Sequence, residues 1–277
     1  MQLIQSLEQM KGLEHPHGSK LGFVPTMGYL HEGHLSLVER AKQDNDITVV
    51  SIFVNPAQFG PNEDLQTYPR DLERDLALLE ERGVNYVFSP DDAIMYPPGY
   101  LTWVEVEKLS TILCGASRPG HFRGVCTVVL KLINIIKPHR MYMGEKDFQQ
   151  LIILRKMVED LNLDVQIIGC PIVREDDGLA KSSRNVYLDA DQRKNAVAIY
   201  QAMLHASRQV AAGQRQAHEL VTEITDRLIS AGAKPDYVKI VNSKDLSDVD
   251  HVGQDSRIMV AAWFGKTRLI DNMPLIT

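Results

Sequence analysis

Short apolar runs alternate with amphipathic segments along roughly the first 170 residues of the chain. The run at 47–54 is rich in β-branched residues and almost continuously apolar, which is typical of a strand buried on both faces of a parallel sheet. The same pattern predicts further strands at 21–24, 84–88, 140–143 and 164–168, with helices at about 34–42, 70–82, 124–137 and 147–161. Repeated strand–helix units predict an α/β fold with right-handed crossovers.

The pattern changes after about Pro171. Two long amphipathic segments, at about 191–212 and 217–231, predict helices, and three short β-like runs follow at 237–241, 257–263 and 267–270. We therefore predict a Rossmann-like parallel sheet in residues 1–171 and a smaller α+β domain, acting as a lid, in residues 172–277.

Composition narrows the class of protein. The chain has 277 residues, of which 44% are hydrophobic and 24% charged, so it can bury a core and is not extensively disordered. Its net charge of −6, with no Lys/Arg-rich run, disfavours non-specific nucleic-acid binding. The three cysteines form no CxxC pair, which favours free thiols in a reducing compartment. Because the first residues lack an apolar signal core and no apolar run approaches the length of a membrane span, we expect a cytoplasmic protein that does not bind membranes.

The turn after the first predicted strand carries the most specific chemistry. It brings two glycines and two imidazoles to the start of a helix, in the sequence Val24-Pro25-Thr26-Met27-Gly28-Tyr29-Leu30-His31-Glu32-Gly33-His34. Unpaired N–H groups and the positive end of the helix dipole attract phosphate, and glycines allow a close approach of the main chain. Imidazoles at this point can donate to phosphate oxygens as charge develops in a transition state. The turn predicts a site for nucleotide phosphates, with attack at the α-phosphate.

Two other interpretations of this turn are open. His31 could cap the turn while His34 packs as a polar core residue, a common fate of such histidines. A zinc site would need further ligands, and neither a Cys pair nor an HExxH helix accompanies the two histidines.

Two further clusters carry cations. Lys181-Ser182-Ser183-Arg184 offers two cations and two hydroxyls in a short loop, and the guanidinium fork suits phosphate oxygens. Taken alone, the tetrapeptide is also typical of a solvated surface loop. Lys146 and Asp147 follow a strand, where the ammonium could bind phosphate and the carboxylate could cap a helix or hold a Mg²⁺-bound water.

Amides gather at the same predicted sheet edge, at Asn55, Gln58 and Gln149-Gln150. Neutral amides suit the hydroxyl and carboxylate groups of a small polar substrate. Gln149 could equally face solvent from a helix. Arg118 could lend a further cation, or belong to an exposed turn with no function.

Five separated motifs, in order, resemble those of the pantoate–β-alanine ligase (pantothenate synthetase) family over nearly the whole chain: Pro25-Thr26-Met27-Gly28 with His31-x-Gly33-His34, Phe53-Val54-Asn55-Pro56-x-Gln58-Phe59, Arg118-Pro119-Gly120-His121-Phe122, Gly144-Glu145-Lys146-Asp147-x-Gln149-Gln150, and Asp177-Gly178-Leu179-Ala180-x-Ser182-Ser183-Arg184-Asn185. The resemblance implies a Rossmann-like sheet of the class I tRNA synthetase and nucleotidyltransferase type. It also implies an ATP-dependent condensation of pantoate with β-alanine through pantoyl adenylate, giving pantothenate, AMP and pyrophosphate.

The family pattern also implies residue roles. The catalytic groups would be His34, His31, Lys146 and Arg184. The ATP site would comprise Pro25, Thr26, Met27, Gly28, His31, Gly33, His34, Gly144, Lys146, Asp147, Val173, Lys181, Ser182, Ser183 and Arg184. Pantoate and β-alanine would be bound by Gln58, Gln150, Asn55 and Arg118. The loop at 60–69 resembles the family's gate, and Mg²⁺ would be held mainly by ATP phosphates rather than by a protein metal site.

Family members are typically homodimers, so the resemblance implies a second copy of the chain as partner. Position 181 departs from the pattern, because Lys stands where Met or Leu is expected in many relatives, and the role of Lys181 does not follow. Two other functions remain open: a nucleotidyltransferase of the same superfamily acting on another small acceptor, and a non-catalytic module that binds ATP.

Overall fold

A computed structural model describes residues 1–13, 16–61 and 63–276 of the chain. The chain forms two compact units. The first comprises residues 1–145 and 150–171, and the second comprises residues 146–149 and 172–277. Both units combine helices with a sheet, but they differ in the kind of sheet they contain.

The first unit is built on a six-stranded sheet with the order β1-β4-β3-β2-β5-β6, in which every neighbouring pair is parallel. Its strands are β1 (Gln2–Ile4), β2 (Leu21–Thr26), β3 (Ile47–Ile52), β4 (Tyr86–Phe88), β5 (Arg140–Gly144) and β6 (Gln166–Cys170). From β2 the chain moves through β3 and β4 on one side and then continues through β5 and β6 on the other. The order reverses at β2, so the carboxyl ends of β2 and β5 form the switch point where such sheets bind ligands. The predicted α/β class and parallel sheet are confirmed.

Helices connect these strands: α1 (Leu7–Lys11), α2 (Glu32–Asp44), α3 (Leu72–Glu81), α4 (Asp92–Met95), α5 (Cys114–Ser117), α6 (His121–Ile136) and α7 (Phe148–Asp160). Strand β3 is buried at all six positions, as its continuous apolar run predicted. On one side of the sheet, Leu35 and Val38 of α2 and Leu79 of α3 pack against Val24 and Val50 of the central strands. This core fixes the starts of α2 and α3 beside the end of β2.

The second unit contains a three-stranded antiparallel sheet of β7 (Lys234–Asn242), β8 (Ser256–Phe264) and β9 (Thr267–Pro274), with β8 in the middle. Its helices are α8 (Ala190–Ala196), α9 (Ala198–Ala211) and α10 (Ala217–Ser230). Ile199 and Met203 of α9 and Leu220 of α10 pack with Ile258 and Val260 of β8 in one apolar core. The predicted smaller α+β architecture is confirmed.

Several elements differ from the sequence prediction. The single helix expected at 191–212 is two helices, because the N–H of Val197 bonds to the carbonyl of Asn195 and interrupts the regular helical ladder. The short elements β1, α1, α4 and α5 were missed. Among the described residues, no helix is long and apolar enough to cross a bilayer.

Candidate active site

The turn that follows β2 is held by the strand itself. The Thr26 hydroxyl donates to the carbonyl of Ser51 at 2.7 Å and accepts from the N–H of Gly28 at 3.2 Å. Gly28 has a φ of +80°, and an added Cβ would lie 3.0 Å from both Ile52 and Asp75. Glycine is required here by the positive φ and by the close approach of neighbouring groups.

Asp75 fixes the same turn from α3, and sequence reasoning missed it. Its carboxylate accepts from the N–H groups of Tyr29 at 2.6 Å and Leu30 at 2.8 Å, immediately before His31. The side chain is only 1% exposed. Burial raises the pKa of Asp75, and the two amide donors oppose that rise. A signal was present: Asp75 lies four residues before buried Leu79, on the apolar face of its helix.

The rings of His31 and His34 lie side by side and tilted at the start of α2, with centroids 4.1 Å apart and planes inclined by 35°. His31 is the N-cap: its Nδ1 accepts from the N–H of Gly33 at 3.1 Å, while Nδ1 of His34 accepts from the N–H of His31 at 3.4 Å. A neutral imidazole that accepts at Nδ1 carries its proton on Nε2. Each ring therefore has one nitrogen in the helix cap and an N–H donor on the opposite edge.

Two amides predicted from the sequence meet this turn. Gln58 donates from Nε2 to the sulfur of Met27 at 3.0 Å, and Asn55 donates from Nδ2 to Oε1 of Gln58 at 3.1 Å. Asn55 also donates to the carbonyl of Gly124 and accepts from the hydroxyl of Tyr96 at 2.8 Å. The structure thus brings Met27, Gln58 and Asn55 into one connected group.

Arg118 joins this group through an ion pair. Its guanidinium binds both carboxylate oxygens of Glu63, with Nε at 2.9 Å from Oε1, and also donates to the carbonyl of Gln58 at 3.3 Å. Glu63 lies in the loop at 60–69 that was predicted to be a gate. Asn62, in the same loop, lies outside the described residues. Arg118 therefore links this loop to Gln58.

Fewer contacts of the predicted site residues are seen at the carboxyl end of β5. Gly144 ends the strand, and an added Cβ there would meet no atom within 4 Å. Gln150 is half-buried on α7. Gln149 is only 3% exposed, so the interpretation that it faces solvent is wrong.

In the second unit, residues 173–181 form a tight hairpin that leads into the serine–arginine cluster. The N–H of Lys181 donates to the carbonyl of Val173 at 3.0 Å, and Gly178 at the turn has a φ of +97°. Nζ of Lys181 lies 2.9 Å from a carboxylate oxygen of Glu175 within the same hairpin. The unexpected lysine thus has a structural partner in its own loop.

The cluster leads into a short 3-10 helix, Ser183–Tyr187. Ser182 caps it by accepting from the N–H of Arg184 at 3.3 Å, and Ser183 is buried while Arg184 is half-buried. Lys146 and Asp147 belong to the same unit. Asp147 is exposed, and the main chain of Lys146 is held by the C-terminal sheet.

The geometry offers no support for the zinc alternative. Among residues 1–13, 16–61 and 63–276, no group of three or more His, Cys, Asp and Glu side chains is arranged to hold a metal ion. The three cysteines are buried and form no disulfide.

A doubly wound parallel sheet with a capped helix and paired imidazoles at its switch point defines an α/β nucleotide-binding protein. A family model described as pantoate-beta-alanine ligase matches residues 1–274. The chain therefore belongs to the pantoate–β-alanine ligase family and is an ATP-dependent ligase of pantoate and β-alanine.

Similar proteins agree with this assignment. The pantothenate synthetase of Thermotoga neapolitana is 55% identical over 276 residues, which cover 98% of this chain and 99% of the relative. A crystal structure of pantothenate synthetase from Thermus thermophilus is 45% identical, covers 100% of both chains and has a TM-score of 0.96. A structure of the Francisella tularensis ligase complexed with beta-gamma ATP and beta-alanine is 38% identical, with 99% of this chain and 98% of that chain covered and a TM-score of 0.84.

Proposed function

We propose that the ligation proceeds in two steps through pantoyl adenylate. In the first step a carboxylate oxygen of pantoate attacks the α-phosphorus of ATP, the bond to the bridging oxygen breaks, and pyrophosphate leaves. In the second step the neutral amine of β-alanine attacks the acyl carbon and loses a proton. AMP leaves with the oxygen that pantoate contributed, and pantothenate is the other product.

The observation that carries this proposal is the orientation of the two imidazoles. Because Nδ1 of each ring accepts from the main chain, each neutral ring presents its Nε2–H as a donor at the start of α2. Donors held in this way stabilise charge that develops on phosphate oxygens without having to reorganise. We assign this role to His34 and His31, with the neighbouring residues of the turn, Pro25, Thr26, Met27, Gly28 and Gly33, and Gly144 at the end of β5 lining the nucleotide.

Residues of the second unit are proposed to neutralise the remaining negative charge of the phosphates. Lys146 and Arg184 supply cations, and Ser182 and Ser183 supply hydroxyls, while Val173 lines the nucleotide. Lys181 is paired with Glu175, which supports a structural role for it in the hairpin rather than a contact with phosphate. We assign ATP and pantoate binding to the unit formed by residues 1–145 and 150–171, and the role of a lid to the unit formed by residues 146–149 and 172–277.

Pantoate and β-alanine bind beside the histidine turn in this proposal. Gln58 and Asn55 are already ordered by each other and by Met27, so their amides need little reorganisation to meet hydroxyl and carboxylate groups. Gln150 supplies a further amide. Arg118 acts mainly through Glu63, by holding the loop at 60–69 against Gln58, and closure of this loop would protect the adenylate from water.

Mg²⁺ is part of the proposal as a companion of ATP. Magnesium typically binds phosphate oxygens together with one or two carboxylates and waters, and Asp147 offers an exposed carboxylate next to Lys146. When bound, the ion would neutralise part of the triphosphate charge. We also propose that the protein is a cytoplasmic homodimer with no nucleic-acid or membrane partner, which sedimentation analysis of the purified protein and fractionation of cells would test.

Oxygen labelling tests the two-step route directly. Pantoate carrying ¹⁸O in its carboxylate is incubated with ATP, Mg²⁺ and β-alanine, and AMP is analysed by mass spectrometry. One labelled oxygen in AMP, released in equal amount with pyrophosphate, is expected. Exchange of labelled pyrophosphate into ATP that requires pantoate but not β-alanine is the companion result. Unlabelled AMP, or transfer of AMP to a stable phosphoester product, would exclude the adenylate route.

A further inference from the structure

Two neighbouring residues of β9, Asp271 and Asn272, are both buried and both polar, with exposed fractions of 4% and 1%. Successive side chains of a strand point to opposite faces of a sheet, so Asp271 and Asn272 can bind different segments on the two faces. The N–H of Asn272 also donates to Oδ1 of Asp271 at 2.8 Å. Buried polar side chains in an otherwise apolar sheet are costly unless they are fully bonded, so their partners indicate their purpose.

Asp271 holds the hairpin at 173–181. Its carboxylate accepts two hydrogen bonds from Arg174, at 2.6 and 3.0 Å. Arg174 also donates to the carbonyl of Gly178 at 3.0 Å and stacks over the ring of Tyr200, 4.1 Å from its centroid. The guanidinium therefore joins the first arm of the hairpin to its turn and anchors the hairpin to β9.

Asn272 holds the start of α7. Its Nδ2 donates to the carbonyl of Lys146 at 3.0 Å, and its Oδ1 accepts from Nη1 of Arg257. Arg257 is itself buried and lies over the ring of Phe148, 3.8 Å from the centroid. Asn272 therefore holds the main chain at Lys146, and Arg257 packs on the nearby ring of Phe148.

We propose that Asp271 and Asn272 are positioning residues for the phosphate-binding groups, Asp271 acting through Arg174 on the hairpin that leads to Arg184 and Asn272 acting through the carbonyl of Lys146. This inference rests on the roles assigned above to Lys146 and Arg184. Two cations that act on one triphosphate must keep a fixed distance from each other. Hydrogen bonds from both segments to adjacent residues of one rigid strand would keep that distance constant.

The test replaces Asn272 by Leu, which has a similar volume and no hydrogen-bonding group, and measures pantoate-dependent exchange of pyrophosphate into ATP. We expect the rate to fall by about 10- to 100-fold, the scale for slight misplacement of a reacting group, while KM for pantoate stays within about twofold. Asn272→Ser is the milder variant, and it carries the test if the leucine variant does not fold. Asp236→Asn, which breaks the Arg268–Asp236 pair between β9 and β7 in the same sheet, is the matched control and should retain the parental exchange rate.

A double-mutant cycle separates positioning from general destabilisation. If Asn272 acts through Lys146, its substitution in a Lys146→Ala background should lower the exchange rate by less than about threefold, because the group it positions is already gone. Asp271→Asn in an Arg184→Ala background should likewise lower the exchange rate by less than about threefold. Undiminished losses in these backgrounds would overturn the inference and leave the roles of Lys146 and Arg184 standing. If Lys146→Ala or Arg184→Ala alone left exchange unchanged, the proposed role of that cation would fail, and the inference with it.

Discussion

At the scale of single residues, the histidine pair shows how one side chain serves both fold and chemistry. The N-cap role of His31, the alternative to phosphate binding, is present in the structure, and it uses only Nδ1. His34 is half-buried rather than enclosed in the core, so the interpretation of it as a packed core residue is wrong. Capping fixes the tautomer and the orientation of each ring, which is what a donor to phosphate requires.

Replacement of His34 by Ala should leave the fold intact and reduce adenylate formation by roughly 10² or more, the scale for losing a transition-state donor. Stability should change little, because the bond that His34 accepts in the helix cap is long, at 3.4 Å. Stopped-flow or exchange assays of the first step measure the effect. His218→Ala, at an exposed position of α10, is the control. A folded His34→Ala protein with near-normal turnover would refute the assignment.

Gln58→Ala should weaken pantoate binding more than ATP binding. The side-chain amide that we assign to pantoate is lost, whereas the histidine turn keeps the bonds that Asp75 and Thr26 make to it. Calorimetric titration of each ligand measures the two affinities. Gln201→Ala, exposed on α9, serves as the control. Equal losses for both ligands would count against the pantoate role.

The contrast between the histidines and Asp75 shows what a sequence can reveal about individual residues. The histidine turn is local: two imidazoles, two glycines and a helix start lie within eleven residues, so spacing alone predicts it. Asp75 contacts Tyr29 and Leu30 across 46 and 45 positions of sequence. The place of Asp75 on the apolar face of its helix indicates burial, but only the folded chain shows which N–H groups its carboxylate binds. The same holds for Asn272 and Lys146.

At the scale of elements, α6 and the turn at Pro56–Gln58 are packed main chain against main chain. A Cβ on Gly124 would overlap the carbonyl of Ala57 and lie only 2.7 Å from the nitrogen of Gln58. Asn55 donates to the carbonyl of Gly124 at the same contact. The positions of the Asn55 and Gln58 side chains therefore depend on a glycine in a neighbouring helix.

Gly124→Ala should impair pantoate binding, although the residue need not touch pantoate. The added methyl group displaces the 56–58 turn, and overpacking of this kind costs about 1–3 kcal/mol of stability. Thermal melts and pantoate titrations measure both effects. Gly253→Ala, where a Cβ meets nothing within 4 Å and φ is not positive, is the control. An unchanged affinity for pantoate in Gly124→Ala would show that the contact does not position Gln58.

The elements that the sequence predicted are those with a clear apolar run or apolar period. The central strands β2 and β3 and the helices α2, α6, α7 and α10 were placed to within a few residues. The missed helices α1, α4 and α5 have four or five residues each, too few for a helical period to appear, and β1 has only three residues. The strands β4, β5 and β6 are equally short, but apolar runs marked them. The break at Val197 was also invisible, because apolar spacing continues through it.

At the scale of the whole molecule, the three cysteines should behave as inert thiols. All three are buried and outside disulfides, and burial raises the pKa of Cys126 to about 12 and that of Cys170 above its usual range. Since the thiolate is the reactive form, a thiol reagent at about pH 8 should modify the native protein slowly. Three thiols should react at once in guanidinium chloride, which is the internal control. Rapid native labelling, or a melting temperature that depends on reductant, would contradict this expectation.

The segment at 146–149 packs with the later half of the chain although it precedes Pro171 in sequence. Its bond to Asn272 spans 126 positions, and no local pattern carries such information. Apolar periodicity could therefore predict the two kinds of sheet, but not which residues of the first half belong with the second.

This interleaving limits how such ligases can be recombined. A chimera that exchanges everything after Pro171 between two relatives would pair one parent's Lys146 and Phe148 with the other parent's Asn272 and Arg257. Faithful grafting has to transplant two separate stretches of the gene, the short one at 146–149 and the long one from 172 onwards. Where recombination between relatives has occurred in nature, the codons for residues 146–149 should share their ancestry with the codons from 172 onwards. They should not share it with the codons that directly flank them.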